Sequence, residues 1–173
     1  MTDRARFRPA RTSRLGALVL CLALVVAGCS SSSKHSSSSN STSSAAGTID
    51  AASKAAITKA YLTFFNPKSP EAESIASLQH GSLFKATIDK QASSSQAQSA
   101  SAKVSAVRLI SPNVAEVTFT IYTGGQAVLP DTKGKAVLEG GKWKLAAETL
   151  CALLNLEGTA PAACKDPKVT ALP

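Results

Sequence analysis

Apolar and polar positions follow three different patterns along this chain. Residues 15–27 form a continuous apolar run, whereas residues 30–44 contain no apolar side chain. Between residues 48 and 91, apolar side chains recur near the period of a helix, and from Lys103 onward many of them alternate with polar ones. The chain is therefore predicted to consist of a leader, a polar linker and a folded part with helices first and strands second.

Helix signals divide residues 48–91 into three predicted helices. The first is capped by Thr48 and stopped by Pro67, and its expected buried edge comprises Ile49, Ala52, Ala56, Leu62 and Phe64 or Phe65. The second follows Ser69 as its cap, has Pro70 at its first position and closes at Gly81. The third covers residues 82–91, with a buried edge of Leu83, Phe84 and Ile88. The polar stretch 92–101 then separates the helices from the strands.

Alternation marks the second half of the chain as strands. In "NVAEVTFTIY" four apolar side chains fall on one face, namely Ala115, Val117, Phe119 and Ile121. The strand "AKVSAVRLI" precedes it through a turn at residues 111–113, and Gly140-Gly141 supplies a two-residue hairpin turn. After that turn Trp143, Leu145 and Ala147 share a face that is expected to point to the helices. The predicted class is α+β, with the N-terminal helices packed on one face of a curved antiparallel sheet.

The leader has the features of a lipoprotein signal peptide. Five arginines precede the thirteen-residue apolar run, which is too short for the roughly 20 residues that a membrane-spanning helix needs. The run ends in Val26-Ala27-Gly28-Cys29, which resembles the bacterial lipobox. We expect cleavage between Gly28 and Cys29 and attachment of acyl groups such as palmitate to Cys29, which would hold the chain on the outer face of the cell membrane. An ordinary signal peptide or a buried helix is the alternative interpretation.

These signals predict three segments: a signal peptide over residues 1–28, a serine-rich flexible tether over 29–47, and one α+β domain over 48–173. Removing the signal takes away five arginines and Asp3, so the net charge falls from +8 to about +4. The remaining lysines are scattered, and Arg108 is the one arginine left. We therefore predict no nucleic-acid partner; a solvated surface explains the remaining charge.

Cysteine usage predicts one disulfide. Cys21 leaves with the signal and Cys29 is expected to be acylated, so Cys151 and Cys164 remain in an exported chain. The segment between them contains Gly158 and Pro161, which favour a turn. A redox-active pair would instead have C-x-x-C spacing. The expected bond closes a loop at the C-terminal end of the domain.

Several segments resemble a known family. They are "NPKSPEAESIASLQHG", "LFKATIDK", "NVAEVTFTIYTGG" and "LEGGKWKLAAETLCALLNL", and together they cover about residues 49–156. This arrangement is similar to that of the small exported and lipid-anchored actinobacterial proteins typified by the mycobacterial low-molecular-weight secreted antigen. The resemblance implies a cone-like fold similar to nuclear transport factor two and the cystatins. The lipobox cysteine and the Cys151/Cys164 pair depart from the antigen and favour an anchored form.

No sequence motif for catalysis, nucleotide binding or metal binding stands out. His80 is the one histidine of the predicted domain, and we interpret it as a structural or surface residue. We predict no enzymatic activity, no cofactor and no metal. Six aromatic side chains are expected in the core: Tyr61, Phe64, Phe65, Phe84, Phe119 and Trp143. As the alternative, four of them would line a small apolar pocket: Tyr61, Phe65, Phe119 and Trp143.

Two functional hypotheses follow. The first is a non-enzymatic envelope lipoprotein that acts by contact with another envelope protein or as an assembly accessory. The second is a protein that binds a small apolar or lipidic ligand in the mouth of the cone. The two differ in whether a ligand copurifies with the protein.

Overall fold

The computed structural model describes residues 48–173 of the chain. The predicted signal peptide (1–28), the predicted tether (29–47) and the candidate lipidation site at Gly28 and Cys29 lie outside the described residues. None of the helices within residues 48–173 has the length and apolar character needed to cross a membrane.

Helices and strands alternate in blocks along the described residues. The helices are α1 (Ala51–Phe64), α2 (Glu71–Ala76), α3 (Lys85–Ala92), α4 (Ser95–Gln98), α5 (Ala147–Leu156) and α6 (Pro167–Thr170), and 3₁₀ turns cover Gly81–Phe84 and Ala162–Lys165. The strands are β1 (Ala100–Ser111), β2 (Val114–Thr123), β3 (Gln126–Glu139) and β4 (Lys142–Leu145). They form one antiparallel sheet in the order β1-β2-β3-β4. The predicted α+β class is confirmed.

The helix boundaries differ from the predicted ones because other residues provide the caps. Asp50, not Thr48, caps α1: its carboxylate accepts a hydrogen bond from the Ser53 amide at 2.9 Å. Hydrogen bonds from Ser53 also lower the pKa of Asp50. Ser69 caps nothing, since α2 begins after Pro70 without a side-chain cap. The predicted third helix is divided into a 3₁₀ turn and α3, and the expected polar break contains the short helix α4.

The buried edge of α1 is rotated from its predicted position. Ile57, Ala60 and Tyr61 face the core, whereas Ala52 and Ala56 are exposed and Leu62 is 43% exposed. Alanine contributes little burial energy, so the larger Ile57 and Tyr61, four residues apart, determine which face packs on the sheet. A similar correction applies to Leu83, which is exposed while its neighbour Phe84 is fully buried.

The central strand β2 has the predicted alternation. Ala115, Val117 and Phe119 are fully buried, and Ile121 packs on the same core. Gly140 and Gly141 have φ angles of 58° and 73°, as a tight turn between β3 and β4 requires. At the far side of the sheet, β1 has a bulge between Val104 and Ala106. Among the described residues no strand pairs with the other edge of β1.

The segment after the glycine turn leaves the sheet earlier than predicted. Strand β4 ends at Leu145, and Ala147 and Glu148 belong to the first turn of α5. Gln79 fixes this change of direction: its backbone amide donates to the Leu145 carbonyl, and its side-chain oxygen accepts from the Ala147 amide at 3.0 Å. The Gln79 amide group also donates to the Ala171 carbonyl at 3.1 Å. One buried glutamine therefore starts α5 and holds the C-terminal segment.

Gly134 allows α1, the sheet and α5 to meet closely. A Cβ atom at this position would lie 2.7 Å from Thr149 Cγ2, 2.8 Å from the Tyr61 hydroxyl and 2.9 Å from Phe119 Cε1. The Tyr61 hydroxyl donates to the Lys135 carbonyl at 2.9 Å, and the Lys135 amide donates to the Thr149 hydroxyl at 2.7 Å. These bonds satisfy the polar atoms that the close approach buries.

A disulfide joins α5 to the segment that follows it. Cys151 on α5 is bonded to Cys164 in the last 3₁₀ turn, with Cα atoms 5.4 Å apart. Cys151 is almost fully buried, and Val169 of α6 is buried in the same core. The bond therefore holds the C-terminal residues against the main core.

Candidate functional site

An apolar groove of about 620 Å³ lies between the C-terminal end of α1, the helices α3 and α4, the ends of β2 and β3, and helix α5. Six apolar side chains line it, one directly after α1 and the others from α3, β2, β3 and α5: Phe65, Ile88, Ile121, Leu129, Leu153 and Leu154. Each element has polar residues on its solvent side, so the apolar residues converge where the elements meet. This convergence creates a space whose walls are hydrophobic.

Aromatic rings support one wall of the groove. Phe65 follows α1 and lines the groove, and its ring is stacked on that of Phe119 with centroids 5.9 Å apart. The Tyr61 ring meets Phe119 edge-on at 5.0 Å. Tyr61 and Phe119 are fully buried, so they lie behind the wall and fix the position of Phe65.

The four aromatic residues singled out from the sequence therefore occupy different places. Phe65 lines the groove, and Tyr61 and Phe119 contact it from the core. Trp143 is not among the lining residues; it lies on β4 opposite Leu138, is partly buried, and packs against the core. The sequence analysis placed Ile88 on a buried helix edge, but it assigned neither Ile88 nor the leucines of α5 to a pocket. The apolar spacing of residues 150, 153 and 154 was a helical signal that could have revealed the second group.

Helix α3 forms one side of the groove and is held at both ends. At its N-terminal end the Lys85 ammonium pairs with Glu71 of α2 and with Asp89 at 3.1 Å, and these bonds raise the pKa of Lys85. At its C-terminal end the Gln91 amide group donates to the Glu157 carboxylate at 2.7 Å. No residue of α3 is fully buried, although Ile88 packs against the core. Helix α3 is thus attached through the Ile88 contact and through exposed polar bonds at its two ends.

Hydroxyl, amide and carboxylate groups surround the apolar surface. The carboxylates are Glu71, Asp89 and Glu157, and the described residues that line the groove include no Lys, Arg, His, Cys or Tyr. His80 lies elsewhere, with its Nδ1 3.7 Å from Glu139 Oε1. Burial raises the pKa of Tyr61, whose hydroxyl donates to a backbone carbonyl. The groove thus offers apolar contact and hydrogen bonds.

Metal ligands do not cluster in the described part of the chain. Within residues 48–173 no group of three or more His, Cys, Asp or Glu side chains is arranged to hold a metal ion.

The other face of the sheet carries charges that are largely paired. Arg108 Nη2 lies 3.4 Å from Glu116 Oε1, and Lys133 Nζ lies 3.9 Å from the same oxygen. Lys135 pairs with Glu148 at 3.1 Å. These pairs are partly or fully accessible to solvent, where an ion pair is worth about 0–1 kcal/mol. We therefore describe this face as a solvated surface.

Comparison with known proteins gives one result. A family model described as "Low molecular weight antigen MTB12, C-terminal domain" matches residues 50–161, more than half of the chain. No curated protein and no solved structure matches the chain. An antigen family of this kind points to a secreted or cell-envelope protein and favours a non-enzymatic one. The resemblance inferred from the sequence is therefore confirmed. On the match over residues 50–161, the chain belongs to the family defined by the C-terminal domain of the low molecular weight antigen MTB12.

Proposed function

We propose that this protein is a lipid-anchored protein of the cell envelope whose folded domain binds a small apolar or lipidic ligand in the groove. The observation that carries the proposal is the groove itself, whose volume of about 620 Å³ falls within the roughly 300–1,000 Å³ of small-molecule sites. Its apolar walls would bury hydrocarbon. Its polar rim would remain in contact with water and comprises Asn66, Glu71, Thr87, Asp89, Gln91, Gln96 and Glu157.

The groove is suited to an acyl chain because its apolar surface comes from rigid elements. Phe65, Ile88 and Ile121 are half-buried, so they still present apolar surface to the groove. Leu153 and Leu154 of α5 line the groove as well, but they are almost fully buried and mainly support the wall. Burying apolar surface contributes roughly 25 cal/mol per Å². A single chain placed along these walls would therefore gain affinity without a catalytic group or a metal.

Ligand binding is expected to depend on Ile88. In Ile88→Gln a polar amide replaces an apolar wall residue, and burying it without a partner costs about 1–3 kcal/mol. We expect the affinity for Nile red, an uncharged apolar dye, to fall about tenfold. The measurement is a fluorescence titration of the mature chain, residues 29–173 carrying Cys29→Ser so that no attached lipid competes.

Leu83→Gln is the matched control, because Leu83 precedes α3, is 57% exposed and does not line the groove. It should bind the dye as tightly as the parent chain. Absence of saturable dye binding in the parent chain, or equal losses in the two variants, would contradict ligand binding in the groove. Contact with another envelope protein would then be the remaining hypothesis.

The anchor is expected to depend on Cys29. The sequence Val26-Ala27-Gly28-Cys29 motivates this expectation, because the acyl groups would be attached through the cysteine thiol. In cells fed radioactive palmitate, Cys29→Ala should remain an unlabelled, uncleaved precursor. Cys21→Ala removes a cysteine from the same apolar run and should be labelled like the natural chain. Continued labelling of Cys29→Ala would exclude this anchor.

A further inference from the structure

Resting on the proposed function, we propose that the groove takes a single-chain lipid whose head is uncharged and carries hydroxyl groups, such as a glycerol or a sugar. The charges and hydrogen-bonding groups at the rim favour such a head. The apolar walls alone leave the class of ligand open.

The charges at the rim disfavour an anionic head. Glu71, Asp89 and Glu157 all line the groove. The cation that contacts two of them is Lys85, which is already bonded to both Glu71 and Asp89. Three carboxylates and one ammonium give a formal net charge of −2. A phosphate or carboxylate head would therefore be repelled where it leaves the apolar walls.

The neutral polar groups at the rim suit hydroxyls. A hydroxyl both donates and accepts hydrogen bonds, so it can bond to an amide and to a carboxylate at the same time. Asn66, Gln96 and Gln91 supply amide groups, and Thr87 supplies a hydroxyl. The Asn66 oxygen already accepts from the Lys68 amide, and the Gln91 nitrogen already donates to Glu157. The side-chain NH₂ group of Asn66 can therefore donate to a ligand, and the side-chain oxygen of Gln91 can accept from one. A hydroxyl can bond to either group.

The apolar wall residues named above are buried or half-buried, whereas most of the polar residues at the rim are exposed. The walls are formed by buried or half-buried side chains of α5, β2 and α3, such as Leu153, Ile121 and Ile88. Exposed or half-buried residues of α2, α3, α4, the loop after α1 and the end of α5 provide the rim. A ligand with one apolar chain and one small polar head matches this arrangement.

The test compares two lipids that differ by one phosphate. Monopalmitoylglycerol and palmitoyl lysophosphatidic acid have the same chain and the same glycerol, and each is used below its micelle concentration to displace Nile red from residues 29–173 carrying Cys29→Ser. We expect the uncharged lipid to bind at least about tenfold more tightly at low salt, the size of effect that two net charges at a solvated rim produce. The difference should narrow in about 1 M salt, where charges are screened within about 3 Å.

Two carboxylate variants test whether the rim charges cause the preference for the uncharged lipid. Glu157→Gln removes a rim charge while keeping the size of the side chain. It should therefore reduce the ratio of the two lipids' affinities. Glu73→Gln is the matched control, because Glu73 is exposed on α2 and does not line the groove. It should leave the difference unchanged.

The outcomes separate this inference from the proposed function. If Nile red binds but the phosphate-bearing lipid displaces it equally well or better, the inference about the head is overturned and the apolar groove stands. The inference about the head is also overturned if the dye binds and neither lipid displaces it. Equal ratios of lipid affinity in Glu157→Gln and Glu73→Gln would overturn it as well. If Nile red itself does not bind, the proposed function fails.

Discussion

Phe119→Ala is expected to lower the free energy of unfolding by about 3–5 kcal/mol. The Phe119 side chain is fully buried on β2 and contacts both Tyr61 and Phe65. Its removal would leave a cavity at the point where α1 packs on the sheet. Since small domains are stable by only about 5–15 kcal/mol, the variant should be close to unfolding at moderate temperature.

Urea denaturation of the mature chain measures this loss. Tyr122→Ala is the control: it removes another aromatic ring from β2, but from a half-exposed position. We expect it to cost about 1 kcal/mol or less. A loss of similar small size for Phe119→Ala would mean that Phe119 does not organise the core. Because Phe65 is stacked on this ring, a variant that still folds should also bind Nile red more weakly.

Removing the disulfide is expected to cost about 3 kcal/mol, the stabilisation that the chain-entropy model gives for a loop of this length. Cys151 and Cys164 are 13 positions apart, and replacing both with alanine releases the segment after α5 from the core. The double variant should unfold at lower urea concentration. The same loss should occur when the natural pair is reduced with dithiothreitol.

The double variant serves as the control for the effect of dithiothreitol. Dithiothreitol should destabilise the natural chain and have no effect on Cys151→Ala/Cys164→Ala, since that chain has no bond to reduce. Equal effects of the reductant on the two chains would contradict a stabilising disulfide.

Patterns confined to one element were predicted well from the sequence. On β2 the alternation of Ala115, Val117 and Phe119 is strict, and all three are fully buried. The Gly140-Gly141 turn was also predictable, because both residues need positive φ angles that glycine adopts without strain.

Features that depend on packing between elements were not predictable in the same way. The rotation of α1 is determined by how Ile57 and Tyr61 pack on the sheet, whereas the alanines on its other faces look nearly equivalent in the sequence. The start of α5 at Ala147 depends on Gln79, which is 68 positions away in the chain. The groove combines residues from separate elements. Helical spacing can place Ile88 and Leu153 on buried helix edges, but it cannot show that both lie beside Phe65 in one groove.

The outer edge of β1 bears on how this protein behaves when many copies are crowded together. An unpaired strand edge can serve as a template for another chain, and proteins commonly protect such edges with bulges and cationic side chains. The bulge at Ser105 interrupts the regular backbone spacing that an incoming strand would need, and Lys103 and Arg108 are exposed on either side of it. Stacking copies edge to edge would bring these like charges together. The same twelve-residue strand that completes the sheet therefore also limits its growth into larger assemblies.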